Sequence, residues 1–195
     1  MALLSRLLPA VALALAMSGP AFAHTGHGAA FSFSSGFLHP FGGLDHVLAM
    51  VAVGLLAAQL GGRALWLVPG TFVTMMALAA AAGVSGMPLP GTEYGILLSI
   101  IAISLPVALA LGMPVALAMA LVGIFAIFHG HAHGAELSAE VAAAPYVAGF
   151  ALATALIHAA GILFGLTLGR LAMGRLALRI AGGAIVLAGC FLAVV

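Results

Sequence analysis

Apolar residues run through this chain in long blocks separated by short polar, glycine-rich or proline-rich breaks. A membrane-spanning helix needs about 20 consecutive, mostly apolar residues. Breaks fall at Gly61-Gly62-Arg63, 83–93, 111–114, 134–145 and 170–179. They leave six predicted spans, at roughly 38–60, 64–83, 94–111, 114–133, 145–169 and 176–195. The third is short, and Pro106 inside it leaves its ends open. A separate apolar stretch, 7–17, follows Arg6 and runs into Ser18-Gly19-Pro20 and Ala21-Phe22-Ala23. That order of charge, apolar run and small residues is the pattern of a cleaved signal peptide. The alternative is an uncleaved anchor helix. The predicted organisation is a signal peptide at 1–23 and one transmembrane domain at 24–195, with the mature chain starting at His24. The predicted fold is all-α: a polytopic membrane helix bundle with six transmembrane helices after signal peptide removal.

Composition agrees with the pattern. Hydrophobic residues make up 65% of the chain and charged residues 5%, against roughly a quarter charged in soluble domains. So few charges cannot cover a water-facing surface, and the lipid bilayer is the expected solvent. The formal net charge is +1, which makes nucleic acid an unsuitable partner. One cysteine, Cys190, excludes an intramolecular disulfide and a metal site built from cysteines alone. The five basic residues are all arginine. With an outer N-terminus, Arg63, Arg170, Arg175 and Arg179 all fall on the cytoplasmic side, as the positive-inside rule requires. Glu93, Glu136 and Glu140 fall on the outer side. Location in a bacterial inner membrane, with both mature termini in the periplasm, follows from that orientation.

Small residues shape one helix face. Gly161, Gly165 and Gly169 recur every four residues, a spacing that lets a second helix approach closely. Thr154 and His158 continue the same face, which points His158 into the bundle.

Ionisable side chains within a bilayer are costly and tend to be functional, and here they cluster. The first cluster is His39-Pro40-Phe41-Gly42-Gly43-Leu44-Asp45-His46, followed by Met50. Pro40 disfavours helical geometry at His39 and suits the first turn of a helix. Gly42-Gly43 offers a place to bend. In a regular helix His39, His46 and Met50 share a face. Asp45 either binds an ion directly or holds a histidine ring in place. The second cluster is His129-Gly130-His131-Ala132-His133-Gly134-Ala135-Glu136. His129, His133 and Glu136 again share one helical face, with His131 pointing elsewhere. Gly134 is a candidate helix end, which would move Glu136 onto a loop.

Imidazole with carboxylate suits nickel, cobalt, zinc or copper(II). The candidate metal ligands are therefore His39, Asp45, His46, His129, His133 and Glu136. Met50, Glu93, His131 and His158 are further candidate contacts, as are His24 and His27 in the mature N-terminal tail. Glu93 has a plain alternative role as an acid favoured at a helix N-terminus. No G-x-x-x-x-G-K-[ST] or H-E-x-x-H pattern is present, so neither ATP hydrolysis nor a zincin-type site is expected. Two other classes remain open: an intramembrane metal-dependent hydrolase, and a haem-binding electron carrier with histidines such as His46 and His158 as axial ligands.

At its first cluster the chain resembles the HupE/UreJ family of nickel and cobalt permeases. Residues 39–50 are similar to that family's HPxxGxDHxxxM signature, which fixes six positions in twelve. The 129–136 stretch is similar to the family's second histidine motif. The signal peptide, the number of spans and the overall length are similar too. The resemblance implies a non-enzymatic permease with no resident cofactor that takes up nickel or cobalt for delivery to metalloenzymes. It implies central roles for His39, Asp45 and His46 and supporting roles for Glu93, His133 and Glu136. A periplasmic metal supplier and a second copy of the chain are the candidate protein partners.

Overall fold

A computed structural model describes residues 33–137 and 143–194, and all its regular elements are helices. In order they are α1 (Phe33–Leu38), a 3₁₀ turn (His39–Gly42), α2 (Leu44–Leu60), α3 (Ala64–Val84), α4 (Thr92–Ala108), α5 (Val115–Ala135), α6 (Ala143–Gly169) and α7 (Gly174–Leu192). The predicted signal peptide at 1–23, the His24 and His27 tail, and Glu140 lie outside the described residues. Helices α3, α5, α6 and α7 are each long and apolar enough to cross a membrane. The α1–3₁₀ segment and α2 qualify together as a broken span, and α4 is a shorter apolar helix. Six crossings are compatible with this set. The protein is an all-α, multi-pass membrane bundle. Large apolar side chains such as Trp66, Leu98, Leu163 and Leu187 are exposed on the outer faces of the helices, where lipid is their natural solvent.

Five of the six predicted spans match a helix to within three residues at each end. The first does not. The reading of 38–60 as one helix is overturned: the chain bends by 87° between 33–42 and 44–60. Gly43 is extended there (φ −118°, ψ 120°), and Pro40 sits inside the preceding 3₁₀ turn. His39 and His46 therefore do not share a regular helix face.

Close approaches between glycines and neighbouring backbones set the packing. On α5, a Cβ at Gly130 would land on the Met76 carbonyl of α3, and one at Gly134 on the Ala80 carbonyl. Gly134 thus serves contact with α3 and does not end the helix, which continues to Ala135. On α6, Gly161 lies against Val51 of α2, and Gly165 against Ala58. The predicted stripe is real over these two positions. Gly169 has no such neighbour.

The bundle has two chemically distinct ends. At one, Gln59 Nε2 donates to the carbonyls of Pro106 and Leu111, and Arg179 Nε donates to the Ala108 carbonyl. These bonds gather the C-termini of α2 and α4 with the start of α7, and Arg63 immediately precedes α3 at the same end. At the other end, His131 Nε2 bonds the Met87 carbonyl, tying the end of α5 to the loop after α3. His39, Asp45, His46, His133 and Glu136 are all at this second end.

Candidate metal centre

The site is assembled from the broken first segment and the last two turns of α5. The bend at Gly43 turns the chain so that His39, on the 3₁₀ turn, and His46, in the first turn of α2, both face α5. Their ring centroids lie 6.5 Å apart. His133 stands between them, 4.6 Å from the His39 ring and 4.7 Å from the His46 ring. His129, one turn back on α5, packs 5.1 Å from His46. The helical spacing of His129 and His133 therefore does present both to one partner.

Hydrogen bonds fix which nitrogens are exposed for binding. The Asp45 carboxylate lies 2.9 Å from His46 Nδ1 and also accepts from the His46 backbone N–H at 2.9 Å. A carboxylate only accepts, so Nδ1 carries the proton and Nε2 presents its lone pair. A carboxylate that orients a histidine in this way is a common partner of a metal ligand. His46 Nε2 faces His133 Nε2 at 2.7 Å. Two nitrogens each about 2.1 Å from one ion stand about 3.0 Å apart at a right angle and about 3.4 Å apart at a tetrahedral angle. The pair therefore opens by about 0.3–0.7 Å to accept a divalent cation in place of the shared proton.

His133 also faces outward. Its Nδ1 lies 3.9 Å from Glu136 Oε2, which lies 4.0 Å from His39 Nε2. Ligand atoms of His39, His133 and Glu136 fall within 4.8 Å of one another, a spread that one ion can span. Glu136 caps the end of α5 and is exposed. The neighbouring His133 imidazole holds its carboxyl below the ordinary range, which keeps it anionic. His133 is thus shared between an outer group with His39 and Glu136 and an inner pair with His46.

The other candidates fall in different places. Glu93 is exposed in the first turn of α4 and is not part of the three-residue group. Met50 is fully buried in the apolar core. His131 is occupied by the Met87 carbonyl. His158 is buried deep in α6 against Phe72, at 5.1 Å between rings. Both ring nitrogens of His46 are engaged, Nδ1 by Asp45 and Nε2 by His133, so neither is directed at a haem shared with His158.

Sequence reading missed three neighbours of the site. Phe150 packs 4.3 Å from His133, and Tyr146 packs 5.9 Å from His39; both are aromatic residues in an apolar helix with no distinguishing signal. Ser99 Oγ lies 2.9 Å from His129 Nε2. A serine in an apolar helix usually bonds its own backbone, and Ser99 does so at Ile96, which hides its second role.

Gly43 carries a local prediction. A Cβ there would sit 2.5 Å from Asp45 Oδ1 and 3.0 Å from His46 Nδ1. Gly43→Ala forces that pair apart, and loss of such a support typically weakens metal binding by about 10–100-fold. Cobalt titration of purified wild type and variant checks it; equal affinities would refute the placement of the pair.

The model of the HupE / UreJ protein family matches residues 11–192. Protein HupE of Rhizobium leguminosarum bv. viciae is 46% identical over 182 residues, covering 93% of this chain and 94% of that protein. No solved structure matches the chain. A family match across nearly the whole sequence, over a membrane bundle with His39, His46, His129 and His133 gathered at one end, places this chain in the HupE/UreJ family.

Proposed function

We propose that the protein is an inner-membrane permease that takes up a divalent transition metal, nickel or cobalt, through the histidine end of the bundle. Membership of a transporter family supports transport over catalysis. The observation that carries the metal reading is the convergence of His46 Nε2 and His133 Nε2 with Asp45 behind His46. The histidine end faces the periplasm and the arginine end the cytoplasm, in keeping with the distribution of arginines.

The hydrated ion first meets the acids and imidazoles at the outer mouth. Glu93 contributes negative charge at its rim, and the His24–His27 tail is a loose collector. His39, His133 and Glu136 displace part of the ion's water. His133 then passes the ion to the inner pair by presenting its other nitrogen toward His46. Irregular backbone at membrane depth is tolerated where it lines a cavity, and the break at Gly43 supplies such a segment beside the path.

Radiolabelled nickel accumulation in cells expressing the protein, compared with an empty vector, tests this reading. Expression is expected to raise accumulation, and excess unlabelled cobalt is expected to compete more strongly than zinc. No rise above the vector at confirmed membrane expression would reject it.

A further inference from the structure

Beyond His46, two more imidazoles lie deeper in the bundle. His129 and His158 are almost fully buried, on α5 and α6. Neither nitrogen of His158 has a hydrogen-bond partner, and neither does His129 Nδ1. Unpartnered imidazole nitrogens inside an apolar bundle call for an explanation.

Ser99 determines the state of His129. Its hydroxyl lies 2.6 Å from the Ile96 carbonyl and 2.9 Å from His129 Nε2. A carbonyl only accepts, so the arrangement that satisfies both contacts has Ser99 donating to Ile96 and accepting from His129 Nε2–H. Nδ1 is then left as a bare lone pair. This is the same arrangement as Asp45 with His46, with the ring reversed.

His158 is placed by helix packing. Its carbonyl lies where a Cβ on Gly54 would meet it, and Gly54 is eight residues beyond His46 on α2. At 1.5 Å per residue that is about 12 Å further into the bundle. Helix α6 starts near the histidine end, and helical side chains lean toward their N-terminus. The His158 ring therefore leans back toward the outer cluster. Phe72 touches both inner rings, at 5.5 Å from His129 and 5.1 Å from His158. Beside them, Thr154 Oγ1 contacts the Met76 sulfur at 3.8 Å.

We propose that His129 and His158 form a second metal-binding station, which receives the divalent ion from the His46–His133 pair. Ser99 is its positioning residue, holding the His129 Nδ1 lone pair free. His129 borders both stations, and Phe72 is the apolar side chain that the ion passes between them and the interior. This rests on the permease reading, because the cargo is the same ion.

Full-length protein in lipid nanodiscs, titrated with cobalt(II), provides the test, with bound cobalt counted and its visible absorption recorded. Wild type is expected to bind a second ion that His158→Ala loses while the first ion's absorption persists. His158→Leu, which fills the same space with an apolar side chain, is expected to give the same loss and guards against local collapse. Ser99→Ala is expected to weaken the second ion by about 10–100-fold, and Ser99→Thr, which keeps the hydroxyl, to restore it. Both His158 variants are expected to lower nickel accumulation in cells. Binding and accumulation unchanged in both would overturn the inner station and leave the outer one intact. Failure of the permease reading has a different signature: no cobalt bound by wild type, and no nickel accumulation by wild type above the empty vector.

Discussion

His46→Ala is expected to reduce nickel accumulation to the level of cells lacking the protein, at unchanged membrane expression. His46 touches both the carboxylate that orients it and a second imidazole on another helix. Removing a partner that merely supports a ligand costs about 10–100-fold in metal affinity. Removing the ligand should cost at least the upper end of that range. Asp45→Asn is expected to be milder, since the amide oxygen still accepts from Nδ1–H while the negative charge is lost. The ordering, with His46→Ala below Asp45→Asn below wild type, is read from initial rates of radiolabelled nickel uptake. Equal rates for His46→Ala and wild type would remove the metal centre from this location.

The second large effect is on folding. Gly130→Leu is expected to prevent recovery of a monodisperse protein in detergent. Its Cβ would occupy the position of the Met76 carbonyl, and both partners are helix backbone that cannot rotate away. Overpacking of this kind costs about 1–3 kcal/mol even where side chains yield, and more where backbones must separate. Native stability is only about 5–15 kcal/mol. Helix α5 carries His129 and His133, so any displacement from α3 also moves the candidate metal centre. Gly70→Ala is the contrasting substitution. Gly70 lies within α3 and a Cβ there meets nothing within 4 Å. Alanine at an open helical position is favoured by roughly 0.5–1 kcal/mol, so this variant is expected to melt at or above the wild-type temperature. If the two variants behaved alike in gel filtration and thermal unfolding, the α3–α5 contact would be wrongly drawn.

Much of this protein is legible without coordinates, and the reason is the solvent. Lipid forces each crossing segment to satisfy its own backbone hydrogen bonds, so span length and apolar content together mark helices α3 to α7 to within three residues at each end. The sparse arginines sort the ends for the same reason. The histidine clusters stand out because charge-bearing groups are so rare in the rest of the chain. Helical period also brought His129 and His133 to one face, which the contacts of both with His46 bear out.

Local sequence has no means of expressing contacts between segments distant in the chain. His39 and His46 do come together, but through an 87° break and not through the seven-residue spacing that suggested it. Gly134 looked like a helix terminator and proved to be a seat for the α3 backbone. Ser99 carries no mark of its bond to His129, thirty positions away. Period and composition are properties of one segment in its solvent, and they settled the all-helical membrane class and the helices after the first break. Which nitrogen faces which ion depends on how separate helices meet, and only the packed bundle decides that.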